Sequence, residues 1–319
     1  MTVRQGQDSS DPGKARPRDP VRVPGALPFR VAVTRPDTGD DRFQEALEAR
    51  GLTPVDHPLL RIVPPADPGP LVRLAQELVG AEGGAQDRSG PKREGRVGGD
   101  AAPRRPWLLV TSRQALPPLE EALSALGAGP RDLRARGIRV AAVGSATAEA
   151  LEAWGLPPEV VPDRYTGDDL LGTLVAACGG AGGSLEGERF LFPRAERARE
   201  VLPDGLRARG AEVELVTAYR IVPHPEGAVR LWSAVRREEL DALTFTSGSA
   251  VRTLARVVPA RAVWPPSVSV AVIGPVTAAA TDGTAVPVHI TPPEYTLEAL
   301  AEAVARFASS HPSTEDMDP

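Results

Sequence analysis

The sequence predicts an α/β fold with parallel sheets, divided between two similar units, and three observations carry that prediction. Residues 30–64 repeat at 189–223 without a gap: Arg35 and Arg194, the Ala-Arg-Gly triplets at 49–51 and 208–210, and the Arg-Ile-Val-Pro segments at 61–64 and 220–223 all stand 159 residues apart. Ten of the 35 positions are identical. A second block, 141–170, matches 271–300 at a spacing of 130, through Gly144/Gly274, Thr147/Thr277, Pro157/Pro287 and the pairs Tyr165-Thr166 and Tyr295-Thr296. Finally, short apolar runs alternate with helical patterns in the same order in both halves. At about 150 residues per domain, a chain of 319 residues accommodates two units. Related units of this size are expected to pack as two lobes, and a cleft between lobes is the usual place for a small-molecule site.

Taken in order, Val31-Ala32-Val33 precedes a helical pattern over about 38–51, Leu108-Leu109-Val110 one over about 113–127, and Val140-Ala141-Ala142-Val143 one over about 145–155. The second half repeats the order with Phe190-Leu191-Phe192, Leu243-Thr244-Phe245 and Val270-Ala271-Val272-Ile273. Strands that are apolar throughout and spaced by helices belong in parallel sheets covered on both faces. The apolar stretch 268–290 is broken by Pro275, Asp282, Gly283 and Pro287, and reads as strand, turn, helix and strand rather than a membrane span. Three stretches read as poor in structure: 1–27, the Gly-, Arg- and Pro-rich run over 80–106, and the tail 309–319. The run has no counterpart in the second half and reads as a loop insertion. The turn Gly179-Gly180-Ala181-Gly182-Gly183 lies between a helix and the next strand, the wrong order for a phosphate loop.

Composition excludes several classes. A net charge of -5 and 4% aromatic residues argue against a basic nucleic-acid-binding face. The single cysteine, Cys178, rules out an internal disulfide framework or thiolate metal cluster, fits a reducing cytoplasm, and is expected to pack in a helix. The first twenty residues have charges and prolines but no apolar stretch, so neither a secretory signal nor a membrane anchor is expected. His57, His224, His289 and His311 sit mostly beside prolines, without metal-ligand spacing, and are assigned surface or turn roles. There is no Walker loop, no GxGxxG after a strand and no nucleophile elbow. Together these features predict a cytoplasmic protein with no nucleic-acid or membrane partner, no metal and no cofactor.

In parallel sheets, ligands sit beyond the carboxyl ends of the strands, where loops feed helix N-termini. The residues expected there are Thr34-Arg35-Pro36, Thr111-Ser112-Arg113, Gly144-Ser145-Ala146-Thr147, Pro193-Arg194, Thr246-Ser247-Gly248-Ser249 and Gly274-Pro275-Val276-Thr277. Backbone amides at helix starts are unpaired and carry partial positive charge, so several such ends suit a ligand with many carboxylates or phosphates. Ser and Thr are also the preferred N-caps, and capping alone would place them here. Tyr219 is different, because its counterpart in the first repeat is Leu60 and duplication alone demands no phenol. A protonated phenol can donate to a leaving or developing oxygen; it can also be an amphipathic residue at a strand end.

The segments TSRQA at 111–115, VGSATA at 143–148, VTAYRIVP at 216–223, FTSGSA at 245–250 and VIGPVTAAA at 272–280 resemble, in order and spacing, those of uroporphyrinogen-III synthases. The resemblance covers about 28–307; it departs at Gln114, where Asn is commoner, at the 80–106 insertion and at both tails. It implies two flavodoxin-like lobes joined by a two-stranded connection, with the active cleft between them. One lobe would combine 28–58 with 223–308, the other would be 64–217, and the Arg-Ile-Val-Pro segments would be the crossings. The implied reaction closes the linear tetrapyrrole hydroxymethylbilane to uroporphyrinogen III, with loss of water, inversion of the last ring and no cofactor. Tyr219 matches the family's tyrosine that assists departure of the hydroxyl, and Thr277 its threonine. Thr111, Ser112, Ser145, Thr147, Ser247 and Ser249 would hold substrate carboxylates. Arg35, Arg113 and Arg194 are further anchors inferred from strand-end position; each can equally be a solvated charge. The protein is expected to be a monomer, and a transient handover from the bilane-forming enzyme is allowed. The rival readings are a two-lobed binding or sensor protein for an anionic small molecule and a flavodoxin-like flavin carrier.

Overall fold

A computed structural model describes residues 28–80, 105–164, 166–178, 181–198 and 200–311. The tail 1–27, most of the 80–106 insertion, and Tyr165 lie outside the described residues. The first elements are β1 (Arg30–Val33), α1 (Arg42–Glu48), β2 (Thr53–Asp56) and β3 (Leu60–Val63). Next come α2 (Gly69–Val79), β4 (Trp107–Val110), α3 (Leu116–Ser124), α4 (Pro130–Ala135), β5 (Arg139–Ala142), α5 (Ser145–Trp154) and α6 (Gly167–Cys178). The chain continues through β6 (Arg189–Ala195), α7 (Val201–Arg207), β7 (Glu212–Pro223), α8 (Pro225–Arg236), β8 (Ala242–Phe245) and α9 (Gly248–Ala255). It ends with β9 (Ser269–Val272), α10 (Pro275–Ala278) and α11 (Leu297–Ser310).

The repeats hold to the residue. Shifting β1, α1 and the start of β2 by 159 lands on the starts of β6, α7 and β7. Shifting β5 by 130 lands on β9, and the lone parallel bridge Ala141↔Val160 becomes Ala271↔Ile290. The pattern over 268–290 predicts a second strand toward 290, where only that bridge forms. Helix α1 is shorter than the expected 38–51, and α11 runs two residues past the boundary at 308, with His311 stacked on Phe307. The Tyr-Thr pairs of the second repeat include helix caps: Thr166 Oγ1 accepts from Asp169 N at 3.1 Å and Thr296 Oγ1 from Ala299 N at 3.1 Å.

Among the described residues, one compact unit takes the chain up to Arg35, Gly39–Leu59 and everything from Pro225 onward; the other takes Pro36–Thr38 and Leu60–His224. The first contains the parallel sheet β2-β1-β8-β9, and the second the sheet β3-β7-β6-β4-β5, parallel except for β3. The two Arg-Ile-Val-Pro segments pair antiparallel with each other, Arg61 opposite Val222 and Ile62 opposite Ile221, and both sit in the second unit.

Alternation along the strands explains how the second sheet is buried on both faces. Leu108, Val110 and Leu191 join the cluster under α2, α3 and α5, whereas Trp107, Leu109, Phe190 and Phe192 join the one under α6 and α7. In the first unit Val31, Val33 and Ala271 pack with Phe43 and Leu47 of α1 and Leu300 and Val304 of α11. Each fully buried Leu or Phe contributes about 1.5–3 kcal/mol over an exposed one. These clusters leave the strand ends free to carry chemistry.

Candidate functional site

Within the second unit, β6, β4 and β5 run parallel and end at one edge of the sheet. Thr111, Ser112 and Arg113 follow β4, Ser145 and Thr147 follow β5, and Arg194 lies near the end of β6. In the first unit, Arg35 follows β1, Ser247 and Ser249 follow β8, and Thr277 follows β9. The structure therefore gathers the sequence-derived candidates at the carboxyl edges of two sheets.

Tyr219 owes its place to an irregularity. On β7, Arg194 pairs with Thr217 but Ala195 pairs with Tyr219, so the register slips by one residue and Ala218 bulges. A bulge re-aims a side chain. Here it brings Tyr219 into the same buried cluster as Val216 and Ala218, although strict alternation would send neighbours Ala218 and Tyr219 to opposite faces. The Tyr219 carbonyl accepts from Glu196 N at 2.9 Å, which fixes the strand beyond the bulge, and the residue is 6% exposed. No sequence signal announces this slip.

The hydroxyls divide into caps and non-caps. Ser112 Oγ accepts from Gln114 N at 3.3 Å and Ser247 Oγ accepts from Ala250 N at 3.3 Å, so both cap the turns that follow β4 and β8. Ser249 is exposed and its Oγ accepts from Arg252 Nη2. Thr147 and Thr277 are not caps. The capping position is Gly144 in one case and Gly274 in the other, neither with a side-chain cap bond, and each threonine sits in the first turn with its own N–H bonded to that glycine's carbonyl. Both threonines are buried, at 7% and 4% exposure. The capping explanation therefore fails at these two positions. Thr34, the first residue past β1, is structural: its Oγ1 donates to the Thr244 carbonyl at 2.6 Å.

The three arginines part company. Arg194 is 5% exposed and holds Glu200 with both terminal nitrogens, at 2.7 and 3.2 Å, and the Glu200 carboxyl titrates below its usual range because of that hydrogen bond. Arg35 lies 3.9 Å from Asp40, whose pKa is lowered to about 2, first by the hydrogen bond from Arg42 and in smaller part by the charge of Arg35. Arg113 forms no ion pair among the described residues.

Sequence reasoning overlooked Gly274 as a seat for an aromatic ring: a Cβ there would meet Tyr295 Cδ1 at 2.8 Å, and Tyr295 is 63% exposed. His289 is exposed, as a surface role requires, and its Nδ1 accepts from Val270 N at 2.9 Å. Among the described residues no group of His, Cys, Asp and Glu is arranged to hold a metal. A shallow depression at the start of α6 is lined by Asp163, Arg164, Asp168 and Asp169, an acidic wall unsuited to a polyanion. No described helix is long and apolar enough to cross a membrane.

A family model described as uroporphyrinogen-III synthase HemD matches residues 96–302. The chain belongs to the uroporphyrinogen-III synthase family. A provisionally named uroporphyrinogen-III synthase of Methanothermobacter thermautotrophicus is 34% identical over 172 residues, 52% of this chain and 65% of that protein, so the match spans just under two thirds of that relative. The uroporphyrinogen-III synthase of Synechococcus elongatus is 25% identical over 284 residues, covering 87% of this chain and 95% of its own length. A solved uroporphyrinogen III synthase from Thermus thermophilus, 22% identical, aligns over 89% of this chain and 100% of its own with a TM-score of 0.48. The uroporphyrinogen-III synthase family comprises cyclising lyases of tetrapyrrole biosynthesis.

Proposed function

We propose that this chain converts hydroxymethylbilane to uroporphyrinogen III, with Tyr219 and Thr277 touching the reacting end of the bilane. The observation that carries the reading is the family match together with the bulge that sets Tyr219 at the carboxyl edge of its sheet. Pyrrole nitrogen lone pairs expel the hydroxyl as water and leave an azafulvene. The Tyr219 O–H donates to the departing oxygen, and the substituted α-carbon of the last ring attacks the azafulvene carbon to give a spiro ring. That carbon's original bond to its methylene bridge then breaks, and the bridge bonds instead to the ring's free α-carbon, which gives up its proton and leaves the ring inverted. The bilane closes unaided to the uninverted isomer, so the protein's task is to choose which carbon attacks. Holding a flexible chain in a reactive conformer supplies up to about 7–11 kcal/mol in the best cases. Positioning at that scale requires no strong acid or base, which suits a site furnished with hydroxyls, amides and a phenol.

The helix-start amide at Ser145, the hydroxyls of Thr111, Ser112, Thr147, Ser247 and Ser249, and the guanidinium groups of Arg35 and Arg194 are the proposed holders of the carboxylates. Arg194 would do so while bound to Glu200. The reading places the protein in the cytoplasm as a monomer that receives bilane from the enzyme that makes it; gel filtration at working concentration checks the first-order state. The decisive experiment mixes the protein with fresh bilane, oxidises the products and measures the isomer ratio. An excess of type III over the spontaneous type I is expected. Type I alone would leave a binding or sensor protein. Tyr219→Phe should slow closure about a hundredfold, the lower range for a positioned proton donor, with the fold intact by circular dichroism.

A further inference from the structure

Arg113 presents a physical anomaly: unlike Arg35 and Arg194, it has no acidic side chain beside it among the described residues. It opens the 3-10 turn Arg113–Ala115, directly behind the capping residue Ser112. Its Nη2 is buried and has no hydrogen-bond partner, and no carboxylate pairs with it among the described residues. A buried charged donor left unsatisfied is expensive, and arginine, always charged, cannot relieve the cost by losing a proton. Arg194 has both terminal nitrogens on Glu200, and Arg35 has Asp40 nearby.

Two further facts place the anomaly. The turn packs against α5, β6 and β7, the elements that carry Thr147, Arg194 and Tyr219. At the offset of 135 that maps β4 onto β8 and cap Ser112 onto cap Ser247, Arg113 maps onto Gly248. Capping and turn formation therefore do not call for an arginine; the equivalent turn forms with a glycine at that place.

We infer that Arg113 is a specificity-determining residue that receives one carboxylate of the bilane on its buried guanidinium edge, a deeper statement of the site that rests on the synthase reading. Its planar fork matches a carboxylate, and the bond would be charge-assisted in a partly desolvated place. Arg113 is thus kept for ligand rather than for stability.

The test uses the full chain, with fresh hydroxymethylbilane as probe, and runs the wild-type isomer ratio first. That ratio alone decides whether the synthase reading stands. Arg113→Met, which keeps length and apolar stem, should raise KM about ten- to hundredfold, the range of one charge-assisted hydrogen bond. Its Tm should be unchanged or higher, and the rise of KM with added salt should flatten. Arg113→Lys keeps the charge without the fork and should fall between the two. With wild type making type III, a KM for Arg113→Met within twofold of wild type overturns the inference; if the Met variant does not fold, a wild-type KM in Arg113→Lys does so.

Discussion

The two copies of the first repeat begin alike and end differently. Both start with a buried strand, β1 or β6, then a seven-residue helix, α1 or α7, at an offset of 159. The first copy then breaks at His57-Pro58-Leu59, with β2 in one sheet and β3 in the other; the second runs unbroken as the twelve-residue β7. Position decides which ending each tolerates. Pro58 lies outside any strand, between β2 and β3, where a proline's missing N–H breaks no ladder, whereas Thr217 lies inside β7 and pairs with Arg194 of β6. The residue facing Pro58 across the duplication is Thr217, and the one facing Leu60 is Tyr219. The same segment thus holds a break between the two sheets in one copy and an unbroken, bulged strand carrying Tyr219 in the other.

The largest expected effect comes from giving the second copy the first copy's break. Thr217→Pro should cost about 1–3 kcal/mol, by a lost ladder bond and the buried acceptor left unpaired beside the bulge, and differential scanning calorimetry should show a lower Tm. Pro58→Thr, the reverse exchange outside the strands, should move the Tm far less; equal losses would mean that strand position does not explain the difference. Next comes Tyr219→Leu, which restores the first copy's residue: single-turnover assays should show a hundredfold or greater slowing of type III formation, with a Tm shift of a few degrees at most, since Leu60 occupies a similar buried place.

Smaller effects follow from titration. Half-buried His57 has its pKa pushed down, first by burial and then by the charge of Arg230, and His289, more exposed, is pushed down by burial. In the folded state both hold protons less well than in the unfolded chain, so their stabilising contribution is present above about pH 6.5 and lost as pH falls toward the folded values. Thermal melts between pH 7.5 and 5 should show a falling Tm, and His57→Gln should flatten the slope more than His289→Gln. The smallest effect lies at Asp40, whose contribution should disappear only as pH drops from about 3.8 toward about 2; Asp40→Asn should remove that last inflection.

Much of the fold was legible because its signals are periodic. Apolar triplets such as Val31-Ala32-Val33 mark strands buried on both faces, and the offsets 159 and 130 carry one half's register onto the other. The candidate residues were legible as a set of strand ends, and Tyr219 stood out because duplication supplied Leu60 for comparison. What escaped was contact. Thr147 and Ser112 read alike in sequence, yet one is a buried first-turn residue and the other a cap. Arg35, Arg113 and Arg194 read alike too, until Glu200 proved to hold one of them with two hydrogen bonds.

By itself the sequence determined the α/β class, the duplication, the strand-end candidates and the resemblance to a family of cyclising synthases, because these depend on local pattern and composition. Tertiary structure alone decided the bulge at Ala218, the pairing of Arg194 and the edge of Arg113 that has no partner among the described residues. Register slips and side-chain partners are set by residues distant along the chain, whose approach no local periodicity records.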